Sequence, residues 1–271
     1  MKEAVEYLIQ TGAAQCTEHA LPKQLALVPS SHDIQSVEYA MPNRVRYRTG
    51  LKTSSLTDFI EMSEEDISGL PGQACLIDAD KMSAKTYFNL GDAVKPGHGD
   101  HWAQLTLERT SEFSELLKVD GQANTQKAAA EWLEDWREYL TPVWDGQLDS
   151  RHTMQGAITT VRNVKIEATA SVDHSVGDFS ASKTGIEQIE ARGRDLPLPS
   201  HFLFKCFPYD GLSERDIAVR LSFTTGDKPK FTFRIVRKTH LESQLADEFK
   251  AAVRDLLVGF EGRVYIGTLS L

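Results

Sequence analysis

The residues Pro96-Gly97-His98-Gly99-Asp100-His101 place two imidazoles and a carboxylate within four positions. Such a set could ligate a divalent metal, with Asp78, Asp80 and Asp92 completing the shell. A metal-bound water could then attack an ester or a phosphodiester. The spacing is poor for this role. His98 and His101 are not at i, i+4 of a helix, and no second histidine pair is evident. A glycine-rich polar loop is the simpler expectation, and no cofactor is expected.

A second cluster is cationic. Arg44, Arg46 and Arg48 alternate with Val45 and Tyr47, and Lys52 follows. As a strand over 42–49 this pattern would put three guanidiniums on one face. Three roles fit, in this order: an edge strand whose charge prevents sheet-to-sheet pairing, a salt-bridged subunit interface, or a nucleic-acid contact with Tyr47 stacking on bases. Cys206 lies between Lys205 and Phe207, and His201 is five residues away on the opposite face of the same strand. That arrangement predicts a packed thiol rather than an activated one. Glu131, Glu134, Asp135 and Glu138 fall mostly off the Trp132/Trp136 stripe and read as a solvated face rather than an acid–base pair. GxSxG, a P-loop, GxGxxG after a strand and HExxH do not occur. Catalysis is therefore left open, with a non-enzymatic role the main expectation.

These residues need elements to position them. A helix is expected over 2–10 and strands over 24–28 and 34–40. Thr53-Ser54-Ser55 opens a helix carrying Leu56, Phe59 and Ile60. Strands follow at 74–77, 84–90 and 102–110, the last alternating Trp102, Gln104, Thr106 and Glu108 against Ala103, Leu105 and Leu107. A helix is predicted from 125 to about Leu140, then another over 151–162 and a strand over 164–172. Residues 173–200, rich in Asp, Ser, Gly, Arg and Pro, read as a long exposed excursion of the kind that often carries function or an interface.

The C-terminal third has the clearest pattern. A strand over 202–207 precedes a hairpin in which Ile217, Val219, Leu221 and Phe223 alternate, followed by Phe231, Phe233 and Ile235. Thr239 and Glu242 form a capping-box pattern ahead of a helix to Leu256, and 263–269 is a strand. The fold class expected is α+β: a mostly antiparallel sheet with amphipathic helices packed on it, ending in a strand–hairpin–helix–strand module. One domain over 1–271 is expected, with a subdivision near 145–170 as the alternative.

Several of these stretches together resemble the YfdQ-like family of phage and prophage proteins. The pattern begins with Asn43-Arg44-Val45-Arg46-Tyr47-Arg48-Thr49 and Ser55-Leu56-Thr57-Asp58-Phe59-Ile60. It continues with Asp100-His101-Trp102-Ala103 and Ala130-Glu131-Trp132-Leu133-Glu134-Asp135-Trp136. It closes with Leu198-Pro199-Ser200-His201-Phe202 and Arg220-Leu221-Ser222-Phe223. The resemblance implies a prophage accessory protein made in the host cytoplasm and supplies no catalytic set. Tyr87-Phe88-Asn89 stands where many members end a strand in tyrosine-histidine.

Bulk properties bound the rest. The chain has 271 residues, 41% of them apolar, and 30 Lys+Arg against 39 Asp+Glu give a net charge of −9. That disfavours whole-molecule attraction to DNA or anionic lipid but not a local basic patch. Three scattered cysteines, an acidic N-terminus and no run of 18 apolar residues predict a cytoplasmic protein away from membranes. The expected function is a non-enzymatic accessory role through self-assembly as a homo-oligomer, or through contact with a host or phage protein. A nucleic-acid-binding protein, or a metal-dependent hydrolase of phage DNA metabolism, is the alternative.

Overall fold

The computed structural model describes residues 42–44, 47–65, 72–144, 152–163, 198–224, 230–257, 260 and 262–269. The expected helix at 2–10, the strands at 24–28, 34–40 and 164–172, and all but the end of the 173–200 excursion lie outside these residues. The chain divides into two compact units, 1–48 and 49–271. In the first, the described residues 42–44, 47 and 48 lie outside any helix or strand. There the Arg44 guanidinium donates to the Arg48 carbonyl at 2.9 Å.

Among the described residues the second unit holds five helices and two five-stranded sheets, an α+β fold. The first sheet is built from β1 (Gly50–Thr53), β2 (Ala74–Asp78), β3 (Ser83–Tyr87), β4 (Trp102–Thr106) and β10 (Arg263–Ile266), in the order β1-β4-β3-β2-β10. Its three middle strands are antiparallel, and each edge strand runs parallel to its neighbour. The inner face carries Ala103, Leu105, Ala84, Cys75 and Ile77, all essentially inaccessible, as the alternation in β4 predicts. Helix α1 (Leu56–Glu65) packs here through Leu56, Phe59, Ile60 and Ser63, the i, i+3, i+4, i+7 face. The buried polar side chain of Ser63 meets the Thr86 hydroxyl at 3.1 Å, so neither oxygen is left unsatisfied.

The second sheet is antiparallel throughout. It contains β5 (Ala123–Thr125), β6 (Leu140–Val143), β7 (His201–Cys206), β8 (Arg215–Thr224) and β9 (Lys230–Ile235), in the order β5-β9-β8-β7-β6. Phe202, Phe204, Phe231 and Phe233 line its inner face, fully buried. Helices α2 (Ser111–Val119) and α3 (Gln126–Asp135) start at Thr110 and Thr125, whose hydroxyls accept from the amides of Phe113 and Ala128. Helix α4 (Met154–Asn163) buries Ala157, Ile158 and Val161. Helix α5 (Lys238–Leu256) buries Leu245, Phe249 and Val253.

Four expectations are corrected. The arginine stretch is not a strand in its described residues. Pairing with β4 starts at Gly50, where a Cβ would sit 2.7 Å from the Trp102 indole. The helix expected to reach Leu140 ends at Asp135. The chain turns through Trp136–Tyr139, and Leu140 is buried by pairing with Phe204 rather than by a helical stripe. Pro142 fits because β6 is an edge strand. The capping box does not form. Helix α5 starts at Lys238, directly after Arg237 in the left-handed region at φ 54°, so Thr239 is already inside the helix. Finally, α2 was not foreseen, and β10 completes the first sheet rather than the sheet of the hairpin.

Asp120 fixes the start of α5. One carboxylate oxygen accepts from the Ile235 amide and the other from the Lys238 ammonium, each at 2.9 Å. Charged hydrogen bonds of this kind contribute about 1.5–3 kcal/mol. Asp120→Ala is therefore expected to destabilise the fold by about that amount, read as a lower urea midpoint. Asp120→Asn, which keeps an acceptor for the Ile235 amide, should lose less.

Candidate functional site

The loop 88–101 is held from inside. Asn89 is buried, its amide nitrogen donating to the Asp100 carboxylate at 2.9 Å and its oxygen accepting from the His101 amide at 3.1 Å. The His101 ring is 1% exposed, lies 4.7 Å from the Phe88 ring, and has Nδ1 at 3.2 Å from both the amide nitrogen and the carbonyl oxygen of Thr49. Asp92 turns the tip by accepting from the amides of Val94 and Lys95, and those bonds hold its carboxyl below the usual range. Close backbone approach requires glycine at 97, because a Cβ there would fall 1.9 Å from the Asn89 carbonyl oxygen.

His98 and His101 therefore part company. His98 is exposed on the loop, His101 is buried beneath it, and Asp100 is engaged with Asn89. Asp78 instead accepts from Lys81 at 2.8 Å, a bond that holds its carboxyl below the usual range. Among the described residues, no group of three or more His, Cys, Asp or Glu side chains could hold a metal ion.

The cation cluster is divided as well. Arg44 and Arg48 belong to the first unit, Arg46 lies outside the described residues, and Lys52 projects from β1 in the second unit. Lys52 shares a register row with Gln104 and Lys85 on the outer face of the first sheet. The Lys85 ammonium lies 4.4 Å from the Trp102 ring centroid and 4.6 Å from that of Tyr87. A cation between two aromatic rings is held at home rather than offered to a ligand.

The outer face of the second sheet has a different character. Arg220 on β8 is the direct cross-strand partner of Arg234 on β9, and both are exposed. The same register sets Ser222 against Thr232 and Thr224 against Lys230, while Val143 pairs with His201 at the far side.

The thiols are inert by environment. Burial pushes Cys206 up to about 12, with Glu112 and Glu214 adding to the shift. Burial raises Cys75 to about 11 against an opposing hydrogen bond with Thr86.

A family model described as "Uncharacterized conserved protein (DUF2303)" matches residues 2–269. The chain belongs to that family. No curated protein and no solved structure matches it. No helix among the described residues is long and apolar enough to cross a membrane.

Sequence reasoning missed the Arg220–Arg234 pair because fourteen positions separate the two residues, and only the hairpin register brings them together. The alternation in both strands was the available signal. It placed Arg220 and Arg234 opposite the greasy face without saying that they would meet.

Two outcomes are expected from this geometry. Asn89→Ala leaves the buried His101 amide without its acceptor and should cost about 1–3 kcal/mol, with faster amide exchange confined to 88–101. Cys75 and Cys206 should resist a thiol reagent in the folded protein at pH 8 and react once urea unfolds it.

Proposed function

We propose that this protein acts by assembling with copies of itself, joined edge to edge through β10, rather than by catalysis. The supporting observation is the outer edge of the first sheet. Strand β10 pairs with β2 on one side, and among the described strands it has no neighbour on the other. Around that edge Tyr265 is 47% exposed, Ile266 57% and Leu269 43%. Exposed, apolar edge strands invite another strand.

A second copy suits this edge because antiparallel pairing about a two-fold axis satisfies both partners with one surface. Burying what remains exposed of each side chain contributes roughly 1 kcal/mol. With two-fold symmetry six such side chains contribute roughly 6 kcal/mol, near the lower end of the cost of association, about 4–15 kcal/mol. Main-chain hydrogen bonds from strand addition must supply the balance, so the assembly should depend on concentration.

The finer context belongs to the same proposal. A phage- or prophage-encoded accessory role in the cytoplasm is supported by the order of motifs along the chain, from Asn43-Arg44 to Arg220-Leu221-Ser222-Phe223.

Light scattering at micromolar concentration should give a discrete mass above the 30.2 kDa of one chain, little changed by salt. Ile266→Lys should shift the mass to that of a single chain without lowering the thermal midpoint. A wild-type protein that remains a single chain would sink the proposal, and an assembly indifferent to Ile266→Lys would remove β10 from it.

A further inference from the structure

The geometry points to the outer face of the second sheet as a binding surface for the phosphodiester backbone of single-stranded nucleic acid, gripped by Arg220 and Arg234. The Cα atoms of cross-strand partners lie about 5 Å apart, and like charges placed there oppose folding. An acid opposite either arginine would remove that cost. Instead the neighbours along the hairpin are Ser222 with Thr232 and then Lys230 on β9. Neither guanidinium has an ion pair or hydrogen bond with another described residue. Two exposed arginines at directly opposed cross-strand positions can both reach phosphate oxygens of one backbone.

The surrounding face has the same polarity. Lys230 lies four residues before Arg234 on the same strand, about 13 Å away at the rise of a β-strand, and is exposed. His201 on β7 is flanked by Val143 on β6 and, continuing the Phe202–Val219 register, by Arg220. The acids at this face lie at its other end: Asp216 is across from Lys205, and Glu214 accepts from the Lys205 ammonium at 2.9 Å. The basic strip is thus local within a chain of net charge −9.

A sheet face suits one strand of nucleic acid better than two. Reading a duplex calls for an element that enters a groove, whereas a sheet face can follow a single backbone. This surface is distinct from the β10 edge of the first sheet, so its test does not depend on assembly.

The test is fluorescence anisotropy of labelled oligo-dT and oligo-U with the full-length protein. With three phosphate contacts, from Arg220, Arg234 and Lys230, the logarithmic salt slope should be about −2, a roughly twentyfold loss of affinity between about 50 and 200 mM salt. Combining Arg220→Gln with Arg234→Gln should flatten the slope to about −0.7 and weaken binding about tenfold or more at the lower salt. The same variant should melt at or above the wild-type midpoint, since a repulsion is removed. That readout separates lost contacts from lost folding. No oligonucleotide binding at the lower salt overturns the proposal. So does binding that the double Gln variant leaves unchanged, or binding to vesicles of anionic lipid in place of either oligonucleotide.

Discussion

The carboxylate of Asp120 connects three parts of the chain that would otherwise be independent. It sits at the C-terminal end of α2, takes the last amide of β9, and holds the first side chain of α5. The long helix that follows must leave the second sheet in one direction, because its chain continues into β10 of the first sheet. A helix that began elsewhere would bring Leu245, Phe249 and Val253 to the wrong place. Arg237, in its left-handed conformation just before the helix, supplies the turn and the ionic contact keeps it. The arrangement of both sheets thus depends on a bond between residues 118 positions apart.

Packing around Phe204 does the corresponding work for the second sheet. Trp132, Trp136 and Tyr139 all lie about 6 Å from its ring, with Trp136 and Tyr139 5.5 Å apart and Trp132 4.6 Å from Phe233. These aromatic groups explain why α3 ends early. Continuing the helix would turn Tyr139 and Leu140 away from the strand they cover. Three-quarters of a helical stripe and the start of a strand produce the same apolar spacing, so the sequence did not distinguish them.

Where one face of a strand is buried and the other wet, the sequence was sufficient. The alternation in β4, β7, β8 and β9 reports directly on burial, and α1, α4 and α5 show their apolar faces. What depends on distant partners was not legible. Nothing in Arg263-Val264-Tyr265-Ile266 specifies that β2 receives it, in parallel, rather than the nearby hairpin. Helix α2 is nine residues long, too short for its Phe113 and Leu116 to establish a period, although Thr110 was a readable cap. The loop with two histidines shows the opposite failure. Its composition suggested metal chemistry, yet Asn89, which the composition did not single out, decides the geometry by joining Asp100 to His101.

The parallel pairing of β10 with β2 also has a consequence for the order in which the molecule is made. Strands β1 to β4 leave the ribosome early and can pair at once, because their partners are close in sequence. The outer edge of β2 must wait until Arg263–Ile266 has been synthesised, after the whole second sheet. Throughout that interval a nascent chain carries an open, apolar strand edge, the kind of surface that draws chains together before they are finished. Completion of the first sheet comes only after the second sheet has been made, so the first sheet stays incomplete in any chain truncated before residue 263.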